Sequence, residues 1–409
     1  MAEGGQNAGS SVCTQRARGA GGGMKSYAMS TLLLALESAS SAAQADPPLR
    51  VGERERGVAL GARPVSLAWY DATQSMVAQY PVAAIPWSNL THIVYNGGYQ
   101  PFPNGSLAVG QDRDCSPAGC TSDWICGRDA ADCTATLHEL RDAAHARGVK
   151  VLIGGLDLFE GNTSLAYAWL NSTCAGRPCI EVYAESIASY VKQHQVDGAE
   201  FDFEDFGDCS MAEMRCPPGW DAPSVDAYAL SQFARLHRLT RAALGPTALM
   251  GIDFSTSGPM YTTNDNKTLG CFDYFNTMLY SAGESGFATD KAQITAFQQR
   301  TRLPTQKLLF GNGLQHSLRG VDLSKCKALT PDDNSCGSQS FTGQALSKRR
   351  ARWAVQNGYG GAFFFELNYD LLPNDTHSVM GWYAKGLAAN SLKTDDGGIR
   401  TMMYAGHER

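Results

Sequence analysis

From Val65 onward the chain alternates short apolar runs with longer segments of helical period, the pattern of βα units that feed a parallel sheet. Eight runs read as strands: Val65–Tyr70, His92–Tyr95, Val149–Ile153, Ala199–Phe203, Ala248–Phe254, Tyr274–Leu279, Lys307–Phe310 and Gly361–Phe365. Helical stretches at Leu137–Ala146, Ile180–Gln193 and Ser231–Leu244 precede the third, fourth and fifth of them. Eight parallel strands predict a (β/α)8 TIM barrel of the α/β class, whose active sites form at the C-terminal ends of the strands. An open doubly wound sheet is the rival, and no G-x-G-x-x-G opens a helix after the first strand.

The fourth strand carries the strictest alternation in the chain. Successive side chains of a strand point to opposite faces, so Glu200, Asp202 and Glu204 share one face and Ala199, Phe201 and Phe203 the other. Three acids on one face are costly unless that face lines a site that uses charge, because crowded carboxylates resist ionising together. The same crowding keeps a general acid protonated near neutral pH. Two other readings stand beside this one: a solvated strand end, and a Ca²⁺ or Mg²⁺ site built from Asp202, Glu204, Asp205 and Asp208. The histidines are scattered singly, with no H-E-x-x-H, and no cofactor is expected. A G-x-S-x-G elbow is also missing; Gly283-Glu284-Ser285-Gly286 reads as a loop.

The stretch Asp197-Gly198-Ala199-Glu200-Phe201-Asp202-Phe203-Glu204 resembles the signature of glycoside hydrolase family 18, the chitinase and endo-N-acetylglucosaminidase family, whose pattern D-G-x-D-x-D-x-E runs along the fourth barrel strand. Asp197, Gly198, Asp202 and Glu204 match; Glu200 stands where the family usually has Asp and Phe203 where it often has Trp. The likeness extends roughly from Val65 to Leu387. Leu90–Tyr95 is similar to the second strand and Val149–Gly155 to the third, with Leu152 in place of a Ser. Phe272–Tyr280 is similar to the sixth, which ends M-x-Y-D; Met278 and Tyr280 are in place and Ser281 replaces the Asp. Gly360–Leu367 is similar to the eighth, with Phe365 where a Trp normally floors the site.

This resemblance implies a retaining mechanism in which the substrate's own 2-acetamido group is the nucleophile. Glu204 would be acid and then base, Asp202 would orient the acetamido nitrogen, Tyr280 would hold its carbonyl oxygen, and Glu200 would share a proton deeper in the stack. Tyr70, Met278, Phe365, Gly154 and Gly155 would line the sugar site. The implied partner is a glycan containing N-acetylglucosamine, either chitin-like or the chitobiose core of N-glycans. A non-catalytic, glycan-binding lectin on the same barrel is the alternative. The changes at Glu200, Ser281 and Phe365 speak for the lectin, and the joint retention of Glu204, Asp202 and Tyr280 speaks for the enzyme.

Composition sharpens the outline. With 409 residues and 43% hydrophobic content, a single barrel over residues 51–388 with loop insertions accounts for most of the chain. A net charge of −6 argues against a nucleic-acid surface, and the short run Lys348-Arg349-Arg350 reads as a solvated helix face. Residues 1–50 are Gly-, Ala- and Ser-rich around an apolar stretch from Met29 to Leu36 that precedes Ala43-Gln44-Ala45. They read either as a secretory signal or as a low-complexity leader. No segment reaches the roughly 20 apolar residues of a membrane span. Residues 389–409 read as a polar tail.

Ten of the 12 cysteines are close neighbours: Cys115 with Cys120, Cys126 with Cys133, Cys174 with Cys179, Cys209 with Cys216, and Cys326 with Cys336. These loop-like spacings predict disulfides, with Cys271 left as a buried thiol. Together with N-x-S/T sequons at Asn89, Asn104, Asn162, Asn171, Asn266 and Asn374, they point to a monomer that is secreted or held in an endomembrane or lysosomal lumen. The segment between the seventh and eighth strands is too short for an added α+β domain, so an open groove is expected.

Overall fold

The computed structural model describes residues 63–110, 129–156, 169–202, 222–254, 266–281, 283–313, 344–370 and 379–388, with Cys126 and two-residue pieces at 115–116, 119–120, 335–336 and 339–340. All lie in one compact unit, Val58–Arg409. Its eight main strands are β1 (Val65–Asp71), β2 (His92–Asn96), β3 (Lys150–Leu156), β4 (Gly198–Asp202), β5 (Leu249–Phe254), β6 (Tyr274–Thr277), β7 (Leu308–Gly313) and β8 (Gly361–Phe365). Each pairs in parallel with the next, and β8 pairs with β1, which closes the barrel. This is the (β/α)8 architecture that the alternating pattern predicts.

Six long helices are described: α1 (Ala130–His145), α2 (Cys179–Gln193), α3 (Ala222–Leu244), α4 (Gly283–Thr301), α5 (Gln344–Gln356) and α6 (Val379–Ala388). The first begins well before its apolar stripe, because the Asp129 side chain caps it by accepting from the backbone N–H groups of Ala131 and Asp132. Gly283-Glu284-Ser285-Gly286 opens α4 rather than forming the loop expected from sequence. Among the described residues no helix is long and apolar enough to cross a membrane.

Two apolar clusters follow from the strand alternation. The larger lies between the strands and the helices and takes the outward residues, among them Tyr70, Ile93, Ile153, Phe201, Ile252, Phe275, Phe310 and Phe364. The smaller fills the barrel interior with Leu67, Trp69, Val94, Leu152, Tyr274, Leu309 and Phe363. Strand β4 contributes nothing apolar to that inner cluster; its inward positions are Glu200 and Asp202.

Asp197, the first acid of the motif, sits at the other end of β4. It accepts from Lys150 Nζ at 2.7 Å and from the Val151 backbone N–H at 2.9 Å, and it pairs with His145 Nε2 at 2.7 Å. Those contacts hold it below the usual carboxylate range against the opposing effect of burial. A charge bound this way at the N-terminal end of a barrel strand, the end away from the C-terminal face where such barrels place their active sites, ties β4 to β3 and α1.

Two of the expected cysteine pairs are bridged, Cys126–Cys133 and Cys174–Cys179, and Cys271 is a buried thiol. Cys115 and Cys120 face each other in a two-stranded ladder; Cys209, Cys216 and Cys326 lie outside the described residues.

The solvated basic run needs correcting. Arg349 is exposed and pairs with Glu284, but Arg350, one position on along α5, is fully buried. Its guanidinium meets Asp290 Oδ2 of α4 at 2.5 Å and donates to the carbonyls of Leu279, Ser281 and Gly311. It also lies over the rings of Phe287 and Phe310. A run of three charges conceals this, because each helix position turns about 100° from the last and only one of the three faces the barrel.

Removing one partner of a buried ion pair strands the other charge. Arg350→Ala is therefore expected to lower stability by about 3–5 kcal/mol in urea unfolding, whereas Arg349→Ala, which breaks an exposed pair, should change it by less than about 1 kcal/mol.

Candidate active site

The inward face of β4 organises the site. Ala199 and Phe201 point outward, where the Phe201 ring packs edge-on against His237 and Phe272. Glu200 therefore points into the barrel, with no exposed surface. Its Oε1 accepts from Trp69 Nε1 of β1 at 2.9 Å and from Asn276 Nδ2 of β6 at 2.7 Å, while Oε2 accepts from the Tyr274 hydroxyl of β6 at 2.6 Å. Burial raises its pKa to about 7, even though these hydrogen bonds favour the charged form.

The extra methylene of Glu200, relative to the Asp of the resembled motif, has a specific accommodation. Gly251 of β5 is its register partner. A Cβ at Gly251 would stand 2.6 Å from Glu200 Oε2 and 2.4 Å from the Tyr274 ring, closer than real Cβ contacts come. The longer acid fits because its neighbour has no side chain.

Asp253, two residues further along β5, is buried and stands in register with Asp202. Burial together with the charges of Glu200 and Asp202 beside it pushes its pKa well above the ordinary Asp value. The sequence reading passed over this residue. The signal was an acid inside the otherwise apolar run Leu249-Met250-Gly251-Ile252-Asp253-Phe254, on the same face as Gly251.

Aromatic rings line the C-terminal strand ends. Trp69 meets Phe365 edge-on at 5.5 Å, and Tyr280 lies nearly parallel to Phe365, with 16° between the planes and 5.9 Å between centroids. Tyr280 also touches Phe363, and Met278 packs against the same inner cluster. Phe365 therefore sits inward among aromatics at the level expected of it. A Cβ at Gly313 would fall 2.8 Å from the Tyr280 ring, so this glycine gives the tyrosine its place.

Tyr70 is not part of this surface. Its ring is in the outer cluster and its hydroxyl donates to the Tyr80 carbonyl at 2.8 Å. Trp69 holds the inward position instead, and alternation from Leu67 would have identified it, since i and i+2 share a face. Gly154 and Gly155 answer local packing demands. A Cβ on Gly154 would lie 2.0 Å from Val94 Cγ1, and Gly155 has φ of +72° where the β3–β4 register gains a residue. A glycine in the left-handed region is the usual residue of such a bulge.

Ser281, where the resembled motif has Asp, bonds away from the barrel interior: its hydroxyl donates to Asp290 Oδ1 at 2.7 Å. Glu204 lies outside the described residues, as do Asp205 and Asp208. Among the described residues no cluster of three His, Cys, Asp or Glu side chains is arranged to hold a metal ion.

A scan against protein-family models finds no match, and a search of curated proteins finds none either. Solved structures do match in fold. A chitinase from Bacteroides thetaiotaomicron superposes with a TM-score of 0.59 at 15% identity, covering 80% of this chain and 97% of that one. The GH18 chitinase ChiB from the chitin utilization locus of Flavobacterium johnsoniae gives 0.54 at 16% identity, over 80% and 94% of the two chains. A Cycas revoluta GH18 chitinase in complex with allosamidin gives 0.53 at 14% identity, over 79% and 99%. The chain thus has the barrel fold of GH18 chitinases.

The fit between Glu200 and Gly251 is testable by a double-mutant cycle. Gly251→Ala is expected to cost about 1–3 kcal/mol in urea unfolding through overpacking. Shortening the acid with Glu200→Asp in the same chain should recover about 1 kcal/mol of it. Losses that simply add would uncouple the two residues.

Proposed function

We propose that this chain is a glycoside hydrolase that cleaves β-linked N-acetylglucosamine, in chitin-like polymers or the chitobiose core of N-glycans, by a retaining, substrate-assisted route. The observation that carries this reading is the inward face of β4, where Glu200 and Asp202 rise toward the C-terminal strand ends that also present Trp69, Tyr280 and Phe365. Strand alternation in the sequence assigns Glu204 to the same face as these two acids. The fold shared with GH18 chitinases, one of them in complex with (GlcNAc)3, supports the same substrate class.

In this reading Glu204 protonates the glycosidic oxygen while the acetamido carbonyl oxygen attacks the anomeric carbon. The leaving sugar departs with that proton, and a cyclic oxazolinium ion remains. Water then attacks the same carbon and breaks its bond to the acetamido oxygen, giving a proton to Glu204, so the acetamido group and the acid are restored and the anomeric configuration is retained. Asp202 orients the acetamido N–H and faces the positive charge that develops there, and the Tyr280 hydroxyl steers the carbonyl oxygen. Tyr280 and Phe365, half-buried and nearly parallel, offer the apolar surface on which the hydrophobic face of a sugar ring packs, and Trp69 supports them from beneath. The two disulfides support an oxidising location, outside the cell or in a secretory or lysosomal lumen.

Glu204→Gln preserves shape and removes the proton donor. It should lower kcat on chitin oligomers about 10²–10⁴-fold with little change in KM, measured by product release. A wild-type protein that binds these oligomers and releases no product would instead be a lectin.

The nucleophile is checked by changing the substrate. Glycosides of glucose, which lack the acetamido group, should go uncleaved, and a thiazoline that mimics the cyclised intermediate should compete with substrate because the site complements the transition state. Comparable rates on glucosides and N-acetylglucosaminides, or release of the inverted anomer, would remove the substrate-assisted mechanism.

A further inference from the structure

Asp253 has no part in the mechanism above, yet it is a buried carboxyl in direct contact with the carboxylate stack. Four observations define its state. Glu200 already accepts from Trp69, Asn276 and Tyr274, and the first two of these groups can only donate. Glu200 and Asp253 are buried neighbours on paired strands and bear on each other's ionisation, and two such carboxyls must share a proton. Among the described residues, the charged or ionisable side chains facing Asp253 are Glu200 and Asp202 from β4 and Tyr274 from β6, all acidic, with no cation among them. Asn276 of β6 stands in register with Asp253 on its other side. With its oxygens taken by three donors, Glu200 is the acceptor of the pair, so the proton between the two belongs to Asp253.

Resting on the glycosidase reading, we propose that Asp253 stores the proton of the acid cluster and, as the neutral acid, is a positioning residue that holds the Glu200 carboxylate and leaves Asp202 ionised toward the substrate. Without that proton three anions would crowd a water-free interior. With it, two anions remain, separated by an O–H donor, and Asp202 stays available to face the positive charge of the cyclised intermediate. The change from Asp to Glu at position 200 gives this arrangement its geometry: the longer side chain reaches over Gly251 to the β5 acid.

Infrared spectroscopy tests the proton without a substrate. At neutral pH a Glu204→Gln protein, which lacks the band of the general acid, should show the carbonyl stretch of one buried, protonated carboxylic acid. That band should shift when aspartate carboxyls carry ¹³C, stay unshifted when glutamate carboxyls carry it, and vanish when Asp253→Asn is added. A band that in this background follows the glutamate label, or no such band, overturns the proposal. Kinetics tests the role: Asp253→Leu should lower kcat about ten- to a hundredfold at nearly constant KM by leaving Glu200 short of a donor, and Asp253→Asn, which can still donate, should recover most of that loss. Equal losses in the two variants, with circular dichroism and thermal melts like those of the wild type, also overturn it. A wild-type protein with the aspartate band and no hydrolysis refutes the glycosidase reading while leaving the stored proton in place.

Discussion

A carboxyl group with no access to water must find its hydrogen bonds inside the protein, and Glu200 finds them on two other strands. Trp69 comes from β1 and Tyr274 and Asn276 from β6, while Asp253 of β5 adds a buried acid beside it. Each must reach the same small volume, which sets the side-chain length at that level and leaves Gly251 as the only neighbour on β5 compatible with it. The interior of this barrel is consequently not an apolar plug with a site placed on top.

Such an interior draws its stability from elsewhere. Partly satisfied polar groups in a low dielectric are unfavourable relative to apolar packing, and three acids in one cluster are more so. The outer layer offsets this. It is continuous around the strands and built from large side chains, each worth roughly 1.5–3 kcal/mol when fully buried. Alternation along every strand makes the division possible, since an outward Phe201 or Ile252 joins the outer layer while its inward neighbours form the acid cluster.

The strands were legible in the sequence because each is a short, strongly apolar run between polar segments, and the β8 run coincides with the observed strand. The acidic face of β4 was legible for the same reason, as a period-two pattern that survives any shift in the strand ends. Partners across the barrel were not, because register between strands is a tertiary property. Nothing local in Met250-Gly251-Ile252 announces that the glycine faces Glu200. Tyr70 and Trp69 show the cost of a parity error: a shift of one residue exchanges the barrel interior for the helical layer. Helix starts failed for another reason, since a cap such as Asp129 lies ahead of the apolar stripe and makes its bonds to the backbone.

The buried Arg350 joins these two levels. The segment after β6 carries Tyr280 between Leu279 and Ser281, and the Arg350 guanidinium donates to the carbonyls of both flanking residues. Asp290 neutralises that guanidinium and accepts from the Ser281 hydroxyl and backbone N–H as well. Replacement of the motif's Asp by Ser at position 281 thus does not leave an idle position. It converts a residue that could have faced the substrate into an anchor for the tyrosine beside it. A tyrosine ring clamped by Phe365 on one side, with its backbone held by a buried ion pair on the other, has few rotamers open to it, and the role proposed for Tyr280 is one that few rotamers favour.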